Sequence, residues 1–294
     1  MPLNINYISD LLNYEKLQSG LYIVSTPIGN LSDITLRALK VLSSVDIILC
    51  EDTRISKRLT IKYGIDTKLI SFHKFNTRKI IPSIITKLSK GFSIALISDS
   101  GTPLISDPGS DLINECDKNN FNVTSIPGPS ATTASIVLST FYNSSFSFHG
   151  FFPRQKKEMK FVIQNLKKSL YPLIFFESSK RIIKTLKIIQ NEIKDCRVTF
   201  IRELTKKYEE ILNTTLNDLI AELEKREKIV GEILFIIEPL YEKINSDLSN
   251  QEIIELANKL LDKGDNVSNI SKELSQNFGM SKREIYQLLI KNMK

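Results

Sequence analysis

The sequence predicts an α/β protein: two α/β domains in succession, followed by an all-helical C-terminal domain. Three observations carry this. Short runs rich in Ile and Val alternate with amphipathic stretches through most of the chain, as strands alternating with helices do. Those runs show little polar alternation, which fits strands covered on both faces by helices. From Leu248 onward no strand-like run occurs.

In chain order, strands are expected at Leu21–Thr26, Asp46–Cys50, Lys68–Ser71, Ser93–Ser98 and Asn122–Ile126, with helices between them. Two prolines and a glycine at Pro127–Gly128–Pro129 then stop any regular element and mark a domain junction. Beyond it a helix is expected over Ser130–Thr140, strands near Ser145–His149, Leu173–Glu177, Arg197–Arg202 and Glu232–Ile237, and helices at Glu158–Lys168, Ser179–Glu192 and Asn217–Lys225. The domains therefore divide as 1–126 (1–19 a leading extension), 127–243 and 244–294. In the last, Ser249 or Asn250 caps a helix carrying Glu252, Ile253, Leu256, Ala257, Leu260 and Leu261, which Gly264 ends. A second helix, Val267–Phe278, closes at Gly279, and a third opens on a capping box at Ser281 and Glu284 and carries Ile285, Leu288 and Leu289. Helix, short turn and helix form a helix-turn-helix-like unit, with Lys282, Arg283 and Lys291 on its last helix.

Composition narrows the function classes. With 294 residues, 41% apolar and 25% charged, the chain is not of the disordered kind. Three scattered cysteines and the two histidines, His73 and His149, offer neither a disulfide scaffold nor a structural zinc site, and no metal is expected. No run reaches a membrane span, and Met1–Ser19 lacks the pattern of a secretory leader, so the expected address is the cytoplasm. The net charge of +7 is uneven. Residues 154–187 alone carry +8, from Arg154, Lys156, Lys157, Lys160, Lys167, Lys168, Lys180, Arg181, Lys184 and Lys187 against two glutamates. Such density suits a polyanion, and equally a solvated helix face.

Five clusters lie at or just beyond strand ends, where open parallel sheets place their ligands. They are Ser25–Leu31; Glu51–Arg54; Ser98–Gly109, with two turn signals and four hydroxyls; Pro127–Ala131; and a group from the second domain, Phe175–Ser179 with Arg202–Lys206 and Gly231–Glu232. There is no GxGxxG after a strand and no GxxxxGK[ST] loop, so neither a Rossmann dinucleotide site nor a P-loop is supported. A hydrolase triad would have to recruit His149, expected to pack against the basic segment, or His73, which can border a cleft.

The segments TPIGNLxDIT at Thr26–Thr35, EDTR at Glu51–Arg54, SDSGTPLISDPG at Ser98–Gly109, PGPSA at Pro127–Ala131 and RELTKxYEE at Arg202–Glu210 together resemble the ribosomal RNA small-subunit methyltransferase I family of the tetrapyrrole methylase superfamily. The resemblance covers roughly residues 20–240 in order, and the tail looks like the helix-turn-helix domain many members carry. It implies a homodimer with S-adenosylmethionine in a cleft between the two α/β domains and methylation of a cytidine 2′-hydroxyl in the decoding centre of 16S RNA. By position it puts cofactor contacts on Pro27, Ile28, Gly101, Thr102, Ile105, Ser130, Ala131, Phe176, Leu204, Gly231 and Glu232. Ser130 and Thr102 offer small hydroxyls, and Asp99 can hold the sulfonium charge. Ser100 stands where many relatives have alanine.

Methyl transfer needs an oxygen nucleophile held in line about 3 Å from the methyl carbon, and a ribose hydroxyl benefits from a base. The candidates are Asp52, Glu51 and Glu203, with Lys206 able to stabilise an alkoxide or hold a phosphate; an Arg54–Asp52 ion pair is the structural alternative. Phosphate contacts are expected from Lys156, Lys157, Lys160, Lys180 and Arg181, with Arg54, Lys57 and Arg58 nearer the cleft. Two other readings are a methylase of a small tetrapyrrole and a non-enzymatic helix-turn-helix binder of nucleic acid. The basic segment counts against the first and the strand-end clusters against the second.

Overall fold

The computed structural model describes residues 17–105, 109–141, 145–193, 195–239, 250–262, 265–278 and 281–292. Ser106–Pro108 of the third cluster, Ser249, Gly264, Gly279, the 243/244 boundary and nearly all of the leading extension lie outside them. The chain divides into two compact units, one of residues 1–159 and 171–238, the other of residues 160–170 and 239–294.

The first unit holds two five-stranded sheets. The first is built from β1 (Gly20–Val24), β2 (Ile47–Cys50), β3 (Leu69–Ser71), β4 (Ser93–Ile97) and β5 (Val123–Ile126), all parallel, in the order β3-β2-β4-β1-β5. Its connecting helices are α1 (Leu36–Ser44), α2 (Thr53–Lys62), α3 (Thr77–Ser89) and α4 (Ser110–Lys118). Alternate residues of one strand feed different cores because successive side chains leave opposite faces. Val24, Ile48, Cys50, Ala95 and Ile97 join Leu39 and Leu42 of α1 and Leu59 of α2. Leu21, Ile23, Ile47, Leu49, Ile94 and Leu96 join Ile84 and Leu88 of α3 and Leu112 and Cys116 of α4. Two buried faces leave no polar alternation to read, as the sequence predicts.

After the proline break, α5 is shorter than expected, Ala131–Ile136. The second sheet comprises β6 (Ser147–Phe151), β7 (Leu173–Ser178), β8 (Arg197–Arg202), β9 (Glu210–Thr215) and β10 (Glu232–Ile237), in the order β6-β7-β10-β8-β9. Only β6 and β7 run parallel; β10 is antiparallel to both its neighbours, and β8 to β9. The sheet is therefore mixed, and β9 is a strand that the apolar pattern does not announce. Ile174, Ile201, Leu234 and Ile236 pack with Ile136 and Phe141 on one face. The alternate positions Phe175 and Phe235 stack at 5.3 Å, with Phe152 edge-on to Phe175. Helix α6 (Lys156–Lys167) begins in the first unit and runs on into the second, and α7 (Ile182–Gln190) and α8 (Leu216–Glu224) follow within the first.

In the second unit α9 (Asn250–Leu261), α10 (Val267–Phe278) and α11 (Lys282–Asn292) bury Ile253, Ala257, Leu260, Ile270, Leu274, Ile285 and Leu289 in one cluster. The capping box forms in both directions: the Glu284 amide donates to Ser281 Oγ (3.2 Å) and the Ser281 amide to Glu284 Oε2 (2.9 Å).

Candidate functional site

The site begins where β1 and β4, neighbours in the first sheet, run out together. Thr26 and Gly101 exchange backbone hydrogen bonds of 2.9 and 3.1 Å, which fold the β4 loop back over the end of β1. Gly101 has φ +80°, a conformation that suits glycine. Thr26 Oγ1 donates to the Ser98 carbonyl (3.1 Å), and Thr102 Oγ1 donates to the Pro129 carbonyl (3.2 Å) while lying 3.1 Å from Ser25 Oγ. The Thr102 hydroxyl thus fastens this loop to the Pro127–Ser130 turn. Gly128 is needed there, since a Cβ at its position would come within 2.9 Å of Ser25 Cβ.

Beside these loops lies a cavity of about 420 Å³, which the loops of both sheets enclose. Ile28, Gly101, Thr102, Ile105, Ser130, Ala131, Phe176, Leu204, Gly231 and Glu232, ten of the twelve expected cofactor residues, line it. Pro27 and Asp99 are not on its wall, though their neighbours Ile28 and Ser100 are. Ser178, Ser179, Thr132, Phe151, Ile201 and Ile233 also line it without having been singled out. Ser178 and Ser179 stood inside a quoted cluster; the apolar ones read in sequence only as core.

The end of β7 is fixed by Glu177, a carboxylate with a wholly buried side chain. It accepts from the Ser178 amide (2.7 Å) and Thr185 Oγ1 (2.6 Å) and pairs with Arg181 at 3.3 Å. Arg181 also donates to the Phe152 and Pro153 carbonyls at 3.2 and 3.0 Å. Its guanidinium is thus engaged, through one nitrogen, by groups of its own chain.

The RELTK segment is likewise a piece of internal bracing. Glu203 and Thr205 adopt φ of +53° and +65°. Glu203 Oε1 accepts from the Glu232 amide (2.8 Å) and from Lys206 Nζ (3.0 Å), and Lys206 also reaches Glu232 Oε2 at 3.0 Å. Burial pushes the Glu203 carboxyl up, but the Glu232 amide and Lys206 outweigh it and hold the group below its usual range. Both Glu203 and Lys206 are therefore paired within this segment and with Glu232. From the loop after β1, the Asn30 amide donates to Thr205 Oγ1 (3.2 Å), and Gly29 lies so close that a Cβ would meet Lys206 Cγ at 2.5 Å.

Beyond the ends of β2, β3 and β4 sits a carboxylate group. Asp52 caps α2, accepting from the Arg54 amide (2.8 Å) and from its guanidinium at 2.6 and 3.0 Å. The Arg54 hydrogen bonds hold Asp52 at about 2, well below the usual carboxylate range. The ion-pair alternative is therefore what the structure contains, and Asp52 is a weak base. Asp99 Oδ1 accepts from the Asp52 amide (3.0 Å). Burial raises both Glu51 and Asp99; Asp99 raises Glu51 further, with His73 opposing. His149 packs against the basic segment, as expected, through the apolar Phe175 rather than through its cations. It stacks on Phe175 at 5.2 Å, with Nε2 3.0 Å from Ser147 Oγ, and burial lowers its proton affinity.

Of the remaining basic residues, Arg54, Lys57 and Arg58 are exposed on α2, Lys156, Lys157 and Lys160 on α6, and Lys180 just after β7. Among the described residues no group of His, Cys, Asp and Glu could hold a metal ion, and no helix is long and apolar enough to cross a membrane.

The pattern that describes the Tetrapyrrole (Corrin/Porphyrin) Methylases matches residues 20–220. A Ribosomal RNA small subunit methyltransferase I from Thermotoga maritima is 43% identical over 217 residues, 74% of this chain and 97% of that protein. One from Mesorhizobium japonicum is 36% identical over 276 residues, 93% and 92% of the two chains. Among solved structures, uroporphyrin-III C-methyltransferase from Thermus thermophilus, in complex with S-adenosylhomocysteine, superposes with a TM-score of 0.53 at 15% identity, covering 74% of this chain and 96% of that one. The chain belongs to the tetrapyrrole methylase family, among the ribosomal RNA small subunit methyltransferase I proteins.

Proposed function

We propose that this chain transfers the methyl group of S-adenosylmethionine to the 2′-hydroxyl of a cytidine in the decoding centre of 16S ribosomal RNA, acting in the cytoplasm as a homodimer. In this reading residues 1–126 and 127–243 are the two halves of the methylase and 244–294 an appended helical domain. The observation that carries it is the cavity on which ten family cofactor positions converge from two sheets. Its volume of about 420 Å³ falls within the range of small-molecule sites. Its walls fit the cofactor chemically: Ile28, Phe176, Ile201, Leu204 and Leu234 give apolar surface for a purine, while Gly101, Ser130 and Ala131 bring backbone groups close.

S-adenosylmethionine supplies an electrophilic methyl carbon. The protein's part is to hold the ribose hydroxyl in line and take up its proton as the new oxygen–carbon bond forms. We assign that proton to the Glu51 carboxylate, whose burial and whose neighbour Asp99 raise its proton affinity, whereas Asp52 and Glu203 are tied to cations. Exposed Lys156, Lys157, Lys160, Lys180, Lys57 and Arg58 would meet phosphates, with Arg54 divided between Asp52 and the RNA.

Labelled methyl transfer to assembled 30S subunits, naked 16S RNA, a precorrin, or nothing tests the proposal. Label in either RNA form, at a cytidine 2′-oxygen, is expected. Label only in the precorrin would make the chain a small-tetrapyrrole methylase, and RNA binding without label would make it a non-enzymatic binder.

A further inference from the structure

Between Asp66 and Asp99 the chain carries no carboxylate, while it carries six cations, Lys68, Lys74, Arg78, Lys79, Lys87 and Lys90. In the middle of this stretch the turn after β3 presents Phe75 with 93% of its surface in solvent. This is not a loose loop tip. The His73 amide donates to Asn76 Oδ1 (2.8 Å), Asn76 Nδ2 to the Ser71 carbonyl (3.0 Å) and the Asn76 amide to the His73 carbonyl (2.9 Å). The Phe75 ring meets His73 edge to face, at 6.1 Å. A rigid turn thus holds a large apolar ring out in water, at a cost in hydration that folding alone does not require.

The surroundings indicate what covers that ring. Lys74, Arg78 and Lys79 are exposed and make no ion pair with any described residue. Helix α2, with exposed Arg54, Lys57 and Arg58, packs against β3. A second copy of this face would bring like charges together, so self-association is disfavoured here. An aromatic face framed by cations is instead what single-stranded nucleic acid uses, the base stacking and the phosphates meeting the cations. The position also fits. The strand β3 is the sheet edge, and the chain of contacts from it runs through Glu51 and Asp52 to Asp99, next to Ser100 on the cavity wall. Two strand spacings, about 10 Å, separate β3 from β4.

We propose that Phe75, flanked by Lys74, Arg78 and Lys79, stacks an unpaired base neighbouring the nucleotide presented to the cavity. The proposal rests on the RNA reading given above. Phe75→Ala, Phe75→Tyr and Lys79→Ala would be compared with wild type for binding of unmodified 16S RNA and for methyl transfer to it, at several salt concentrations, with S-adenosylmethionine affinity and sedimentation as controls. Phe75→Ala is expected to weaken RNA binding about tenfold, with cofactor affinity and salt slope unchanged. Phe75→Tyr should restore it, and Lys79→Ala should flatten the salt slope. Wild-type RNA affinity in Phe75→Ala would overturn the stacking role alone. So would a loss that follows conversion of a dimer to monomers, which would make the face a subunit contact. A wild-type chain that neither binds nor methylates RNA would overturn the RNA reading, and the stacking role with it.

Discussion

Glu51 and Asp52 are adjacent in the chain yet differ in what a proton sees. Asp52 faces the Arg54 guanidinium in solvent, and Glu51 is half buried beside Asp99. Only the second environment makes a carboxylate a usable base near neutral pH. Glu51→Gln should lower the single-turnover rate about 10²- to 10⁴-fold with cofactor affinity unchanged, while Asp52→Asn keeps most of the rate. Because the Glu51 pKa is raised, the rate should climb with pH through a value above the usual glutamate range, and that limb should vanish in Glu51→Gln; a wild-type-like profile in the variant would remove the assignment. Gly231 shows the same dependence on position. With φ +107°, and a Cβ that would lie 2.6 Å from Glu203 Oε1, it admits no side chain unless Glu203 lets go of the Glu232 amide. Gly231→Ala should therefore cost about 1–3 kcal/mol of stability and weaken S-adenosylmethionine binding, measured by thermal melting and titration calorimetry.

At the scale of elements, the RELTKKYEE segment connects β8 to β9 and is held by its own charges. Glu210, the first residue of β9, takes Arg202 at 2.8 Å and Arg226 at 2.6 Å, and the Thr205 amide donates to Glu209 Oε2 at 2.6 Å. Arg226 first, then Arg202, holds the Glu210 carboxyl down at about 2, against about 4.3 in an unfolded chain. A lowered carboxylate contributes stability above its unfolded pKa and loses it as pH falls from about 4.3 toward 2. Discounted for partial screening, Glu210→Gln should cost about 1–2 kcal/mol at pH 7 and much less near pH 2, as denaturation at the two pH values will tell. The motif is legible in the sequence but the partners of Glu203 and Lys206 are not, because a sequence shows residue types and not what they touch. Nor is β9 legible there: Glu210–Thr215 has only Ile211 and Leu212 among four polar residues, is half-buried except for exposed Asn213, and pairs only with β8 at the sheet edge. The parallel first sheet was legible because burial on both faces makes its three central strands, β2, β4 and β1, almost wholly apolar. The insertion of β10 between β7 and β8 was not, since it is a long-range pairing that no local pattern encodes.

For the whole molecule, the net charge of +7 understates how unevenly the cations lie. The sequence located the +8 segment, but it could not see that Arg181 closes on Glu177 and that Lys187 pairs with Glu224. It also averaged the carboxylate-free stretch around Phe75 into a first domain of nearly balanced charge. What remains available to a polyanion is set by exposure: Lys156, Lys157 and Lys160 on α6 and Lys180, each open to solvent. If these neutralise phosphates, each contact releases counterions, and the logarithm of RNA affinity falls with the logarithm of salt by about 0.7 to 0.9 per contact. Lys156→Glu/Lys157→Glu should therefore weaken 16S RNA binding most at low salt and reduce that slope by about 1.4 to 1.8, with S-adenosylmethionine affinity intact. Arg181→Gln should act differently, leaving the slope unchanged while destabilising the fold, because it strips a buried glutamate of its partner. Equal slopes in wild type and the double variant would move the RNA path off α6.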